Sequence, residues 1–274
     1  MSLPPRFVFS QSSLQAYLEC PRRFELHYVR GVEWPLARGE PTAAWERRAR
    51  LGAAFHLLVQ QHLVGIAPKR LAASAEERGI TEWWEAYQAS PPRELPPACR
   101  TELSLSVPLA GYRLAARYDV VATDPDRRAV IVDWKTTSWR PGRVELAARL
   151  QTQVYLYVLV EASAELNDGK RLDEEQVELL YWFADHPRQP ERFTYDAHAH
   201  ARVGERLRAM VAEIAAVEAE EWPLAEDARY CQFCRYQTLC GREGNSAWDG
   251  IEAETELELD LADLDLEQIA EIEF

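Results

Sequence analysis

Lysine is almost absent from this chain: of 31 basic residues only Lys69, Lys135 and Lys170 are lysines, and the rest are arginines. A lysine inside a motif therefore carries weight. Long apolar runs are missing too. No stretch approaches the ~20 apolar residues needed to span a bilayer, and the opening MSLPPRFVFSQSS has no basic stretch leading into an apolar one. A cytosolic protein with no membrane partner is expected. There is no GxxxxGK(S/T) phosphate loop, so no recognisable ATPase motor, and no internal repeat. Cysteine is sparse, at five residues, and in a reducing compartment such thiols are read for metal before disulfides. The net charge of -14 argues against tight nonspecific binding of polyanions. Residues 252–274, however, hold ten Asp and Glu and no Lys or Arg; without them 35 acidic residues face 31 basic ones, a net of -4.

What is present reads as helices, then strands, then alternating helix and strand. Residues 12–30 place Leu14, Tyr17, Leu18, Phe24 and Tyr28 at helical spacings, with Ser12 or Ser13 as N-cap and Pro21 opening a second helix. Residues 42–64 form another helix with Phe55, Leu58, Val59 and Leu63 on its apolar side, and the stretch from residue 68 stays helical to Tyr87 before a loop rich in proline. From Glu102 the period changes to two. ELSLSVPL, YRLAARYDVVAT and AVIVDWKTT, separated by Ala110-Gly111 and Asp124-Pro125-Asp126, read as three consecutive strands. A long helix over 144–164, a strand over 177–184 and a helix over 197–221 complete the pattern. The length suits one domain.

Asp119 and Asp133 fall at the ends of neighbouring strands. Two carboxylates there suit a hard cation such as Mg²⁺ or Mn²⁺, although an Asp ending a strand at a turn is also commonplace. Lys135 lies two residues beyond Asp133 and so points to the same side of an extended strand. A carboxylate and an ammonium on one face can hold a metal and orient water against a phosphodiester; a surface ion pair is the plainer alternative.

Asp119 followed by Asp133-Trp134-Lys135 resembles the D…(D/E)-x-K signature of PD-(D/E)XK nucleases. Gly52-Ala53-Ala54-Phe55-His56 resembles the G-x-x-x-H motif of their RecB-like branch, and Gln151-Thr152-Gln153-Val154-Tyr155 their Q-x-x-x-Y motif. Glu102 falls where such proteins often carry a glutamate on the first strand. Where they often have a glycine-arginine-isoleucine type sequence before the aspartate, this chain has Ala116-Arg117-Tyr118. Taken singly, His56 is an ordinary core histidine and Gln151 and Tyr155 ordinary helix residues; the ordered set carries the resemblance. It implies a restriction-endonuclease-like α/β core with a central mixed sheet flanked by helices. It also implies metal ligation by His56, Asp119, Asp133 and the Trp134 carbonyl, and catalytic roles for Lys135, Gln151 and Tyr155.

Cys231, Cys234 and Cys240 are closely spaced, and three thiolates need a fourth ligand. With Cys20 they resemble the iron-sulfur members of the RecB-like branch, such as the C-terminal nuclease domain of AddB and CRISPR-associated Cas nucleases. There four cysteines hold a 4Fe-4S cluster that ties the chain ends together. Thiolates suit Zn²⁺ as well. Cys99 matches no position and is expected to be a buried or loop thiol. The resemblance thus implies one nuclease domain over 1–250. Its parts are a helical N-terminal region at 8–90, a catalytic core at 101–222 and a cysteine segment at 223–245 that pairs with Cys20. The expected activity is that of a metal-dependent exonuclease acting on single-stranded DNA or DNA ends in repair, recombination or CRISPR adaptation, with a helicase or adaptation complex as a possible partner. The alternatives are an inactive DNA-binding module or an interaction subunit. The acidic stretch 251–274 is either a solubilising tail or an occupant of a basic DNA cleft or a basic partner.

Overall fold

A computed structural model describes residues 3–33, 40–124, 127–218, 220, 222–231 and 234–242, the side chains of 40–46 excepted; the acidic stretch lies outside them. The chain divides into two compact units, one of Met1–Trp45, Pro108–Leu114 and Arg206–Phe274, the other of Glu46–Val107 and Ala115–Glu205.

In the first unit a short strand, β1 (Val8–Ser10), runs into helix α1 (Gln11–Glu19). Ser10, rather than Ser12 or Ser13, is the N-cap. Ser13 N–H donates to Ser10 Oγ at 3.1 Å and Ser10 N–H to Ser13 Oγ at 2.9 Å, a reciprocal capping box. Three residues are too few for β1 to show a period of two. Pro21 opens α2 (Pro21–Phe24), and a π turn, Glu25–Val29, follows. The Phe24 ring stacks on Trp222 at 5.3 Å and meets Tyr17 edge-on at 5.9 Å. The fully buried Glu25 carboxylate is answered by Arg22 at 2.8 Å, Arg30 at 2.6 Å and the Trp222 N–H at 3.2 Å, as a buried charge requires.

The second unit holds α3 (Glu40–Leu63, from Glu46), α4 (Pro68–Arg78) and α5 (Thr81–Ala89). The sequence reads α4 and α5 as one helix, but Gly79 adopts φ +72° and caps α4 in the left-handed region that glycine enters freely. Then come β2 (Ala98–Leu109), β3 (Tyr112–Asp124) and β4 (Arg128–Lys135). The expected long helix is broken in two, α6 (Arg143–Ala148) and α7 (Leu150–Ala162), by an extended Arg149. β5 (Val177–Phe183), β6 (Glu191–Thr194) and α8 (Ala197–Ala215) follow, α8 ending six residues earlier than its pattern suggests and continuing past Glu205 into the first unit. No helix among the described residues is long and apolar enough to cross a membrane.

The sheet is mixed, in the order β1-β3-β4-β5-β6 with β2 also on β3. β3 and β4 are antiparallel (Val120↔Val132), β4 and β5 parallel (Asp133↔Tyr181, Lys135↔Phe183), and β5 and β6 antiparallel. Alternation sorts the central strands. Val130, Val132, Trp134, Leu180 and Trp182 pack with Phe55, Leu58, Trp84 and Tyr87 of α3 and α5 in one core cluster. Asp133, Lys135 and Tyr181 therefore face the opposite side, where α7 lies. α7 (LQTQVYLYVLVEA) is mostly apolar, and eleven of its thirteen residues are buried.

Candidate active site

The register that sets Val120 against Val132 carries Asp119 to the end of β4. There its Oδ2 accepts the Trp134 backbone N–H at 2.9 Å and its Oδ1 meets His56 Nδ1 at 3.2 Å. Burial works against the charge on Asp119, but His56, the Trp134 N–H and Lys135 outweigh it and hold the carboxyl below its usual range. Burial likewise opposes the imidazolium of His56, and the carboxylates of Asp119 and Asp133 override it, raising its pKa. Each group thus favours the charged form of the other.

Asp133 and Lys135 sit beside this pair at 3% and 6% exposure. Lys135 Nζ lies 3.2 Å from Asp133 Oδ2 and donates to Gln151 Oε1 at 2.8 Å. Gln151 in turn donates to Asp133 Oδ1 at 3.2 Å and to the Tyr155 hydroxyl at 3.3 Å, while its Oε1 also accepts the Tyr181 hydroxyl at 3.3 Å. Because the helix breaks at Arg149, Gln151 stands in the first turn of α7 and Tyr155 one turn on, on the same face. The structure therefore gathers His56, Asp119, Asp133, Trp134, Lys135, Gln151 and Tyr155 in one place. Glu102 does not join them. It adopts φ +52° within β2, strained for a residue with a Cβ, and its carboxylate is held by Arg117 at 2.8 Å.

Several partners escaped the sequence reading. The Tyr181 hydroxyl also meets Thr152 Oγ1 at 2.8 Å, and its ring lies under Lys135 Nζ at 5.4 Å. A tyrosine among the apolar residues of the strand VELLYWF was the available signal, since a buried phenol needs a hydrogen-bond partner. Tyr118 donates to the Tyr155 carbonyl at 3.1 Å, a contact that an isoleucine at this position could not make. Arg48 left no signal at all. It donates to the Thr136 carbonyl at 2.7 Å and to Asp185 at 2.7 Å, and its guanidinium stacks over Trp83, whose indole N–H also binds Asp185.

Arg48, Gly52 and His56 recur every four residues and share one face of α3. A Cβ on Gly52 would stand 2.6 Å from Thr136 Oγ1, so the glycine lets the helix approach the residue that follows Lys135. In an unhindered helix Gly→Ala stabilises by about 1 kcal/mol. Here Gly52→Ala is expected to lower the melting temperature, and to raise it once Thr136→Ala has removed the obstacle. Thermal melts of the four proteins in this double-mutant cycle check the reversal.

The cysteines form a separate group within the first unit. Cys20 and Cys231 are buried, Cys234 and Cys240 partly so. Burial pushes the Cys234 thiol up against the Tyr236 N–H and Arg23, and the neighbouring thiols Cys20 and Cys240 add to the rise. Burial, Cys20 and Cys231 do the same to Cys240 against Arg22. Cys234 thus feels Cys20 and Cys240, and Cys240 feels Cys20 and Cys231. Cys20 Sγ accepts the Arg23 N–H at 3.4 Å, and Arg242 lies 3.6 Å from Cys231 Sγ. Cys99 is not the buried or loop thiol expected but an exposed strand residue of β2.

Among the described residues no three His, Cys, Asp or Glu side chains are already arranged as a metal cage. In the active site the reason is visible: Asp119 is turned to His56 and the Trp134 N–H, and Asp133 to Lys135 and Gln151. The donor chemistry nonetheless fits a hard divalent cation, with two carboxylates, an imidazole and the Trp134 carbonyl at one strand end. The four thiols, flanked by arginines that offset thiolate charge, fit a soft metal or a cluster.

Among solved structures, a proposed exonuclease from Eubacterium rectale aligns with a TM-score of 0.52 at 9% identity, covering 81% of this chain and 85% of that one, a likeness of fold alone. The protein SSO0001 aligns at 13% identity over 85% of each chain with a TM-score of 0.39, too low to argue from. No curated protein matches the sequence. The family model of the PD-(D/E)XK nuclease superfamily matches residues 8–241, nearly all of the described chain, and the protein belongs to that superfamily.

Proposed function

We propose that this protein is a Mg²⁺- or Mn²⁺-dependent deoxyribonuclease of the RecB-like branch that cuts single-stranded DNA or DNA ends in repair, recombination or CRISPR adaptation. The observation that carries the proposal is the buried Lys135 ammonium, held by Asp133 and Gln151 beside the His56–Asp119 pair. Burying such a pair costs desolvation that its Coulomb attraction barely repays, so the pair supports a role in chemistry rather than in stability.

His56, Asp119, Asp133 and the Trp134 carbonyl would hold the cation. When bound it supplies positive charge to the scissile phosphate and makes a water acidic enough to attack. The rest falls to the chain. Lys135 would orient the attacking water or stabilise charge growing on the phosphate oxygens. Gln151, with both ends of its amide engaged, fixes the ammonium against Asp133, and Tyr155 and Tyr181 fix Gln151. We assign Cys20, Cys231, Cys234 and Cys240 to a 4Fe-4S cluster, with Zn²⁺ as the alternative occupant. With no recognisable ATPase motif in the sequence, the protein should cut without ATP unless a helicase partner supplies translocation.

The test is digestion of 5′- and 3′-blocked single-stranded and duplex oligonucleotides by anaerobically purified protein with Mn²⁺. Cutting that needs the cation and one free end is expected, and blocking that end should stop it. Intact oligonucleotides of every kind would remove the reading.

A further inference from the structure

We infer that Trp139 is a stacking platform for an unpaired nucleobase of the substrate strand. This rests on the nuclease reading above and specifies the strand it takes. Trp139 is 44% exposed, whereas the other described tryptophans, at 83, 84, 134, 182 and 222, are buried or partly so. Among the described residues its ring stacks on no other, and its indole N–H, in contrast to that of Trp83 or Trp182, meets no acceptor. Its exposed aromatic face is apolar area that a stacked partner would remove from water.

The surrounding backbone is not loose. The Thr137 hydroxyl donates to the Trp139 carbonyl at 2.9 Å. The next residue, Arg140, binds Glu191 and the Gln189 carbonyl, and its guanidinium lies 5.5 Å over the Phe183 ring. Arg143 reaches the same Glu191 at 3.0 Å and the Arg192 carbonyl at 2.8 Å, and stacks 4.6 Å over Phe193. Two arginines thus fasten the loop to β6 and to the turn before it, leaving the ring that precedes them open.

The loop also begins and ends at the active site. It leaves β4 at Lys135 and returns at Gln151, and these two side chains are bonded to each other. Trp139 is four residues from Lys135, a reach of at most about 14 Å. A ring there meets nucleotides only a few steps from the bond being cut. In duplex DNA both faces of a base are already stacked, so an unpaired base is the partner that fits. A protein surface seated on the same ring would not depend on bases, and the test separates the two.

Binding is measured by fluorescence anisotropy, in EDTA, with labelled oligothymidylate, a strand of equal length made wholly of abasic sites, and a blunt duplex. Trp139→Ala should weaken oligothymidylate binding about 5- to 100-fold, the range for losing one stacked base. Trp139→Tyr should restore most of it, and neither variant should change binding of the abasic strand or the duplex. Unchanged oligothymidylate binding by Trp139→Ala, or an equal loss on all three probes, overturns the inference. A wild-type protein that binds none of them and cuts nothing with Mn²⁺ removes the nuclease reading and this one together. If it binds and cuts while Trp139→Ala matches it, only the stacking assignment falls.

Discussion

The double variant Asp133→Asn/Lys135→Met is expected to melt no lower than the wild type in EDTA, yet to cut DNA at least about 10²-fold more slowly. Asp133 and Lys135 are 3% and 6% exposed, and their ion pair is closed within a group made up of Gln151, Tyr155 and Tyr181. Replacing a buried pair by neutral groups of similar volume is commonly neutral or stabilising by about 1–4 kcal/mol. Removing one partner alone strands a buried charge at a cost of about 3–5 kcal/mol. Lys135→Met and Asp133→Asn should therefore each melt lower than the double variant, while all three have lost activity. Calorimetry in EDTA and a cutting assay in Mn²⁺ read the two properties separately. A double variant that still cuts at near wild-type rate would falsify the assignment of these residues to the chemistry. One that melts far below the wild type would mean that the pair serves stability.

The site was legible because its chemistry is local in sequence. Asp133 and Lys135 share a strand face by their spacing, Gln151 and Tyr155 a helix face by theirs, and β2 to β4 have enough residues for a period of two to emerge. What escaped was either short or long-range. β1 and β6 have three and four residues, too few for a period, and β6 is the strand that fastens the Trp139 loop. Gly79 was a readable stop, a glycine after a charged helical turn, but Arg149 breaks α6 from α7 with no proline or glycine to announce it. Arg48 was invisible for a different reason. Its partners Thr136 and Asp185 lie 88 and 137 residues away, and nothing in the local pattern of α3 distinguishes it from other arginines. Motif residues declare themselves by type and spacing; the residues that position them do so only when the chain is folded.

Protein purified without oxygen is expected to be brown and to carry about four irons per chain, and each of Cys20→Ala, Cys231→Ala, Cys234→Ala and Cys240→Ala to be colourless. The effect on stability should be large because of where the ligands fall. A link from Cys20 to the segment holding the other three closes a loop of well over 100 residues, and cross-links of that length contribute on the order of 5 kcal/mol by the entropy they remove from the unfolded chain. Cys20 lies near enough to raise the pKa of both Cys234 and Cys240, with Arg23 and Arg22 supplying opposing charge. Distance in sequence should then not matter, and Cys20→Ala should lower the melting temperature as much as Cys234→Ala. Cys99→Ala provides the control. Its thiol is exposed on β2 in the other unit, so colour, iron content and melting temperature should all be retained. Iron analysis, visible absorption and thermal melts of the five variants decide the matter. Colourless wild-type protein with one zinc per chain would replace the cluster by zinc and keep the four ligands. Full colour in Cys20→Ala would remove Cys20 from the ligand set, and with it the closure of the two ends of the chain.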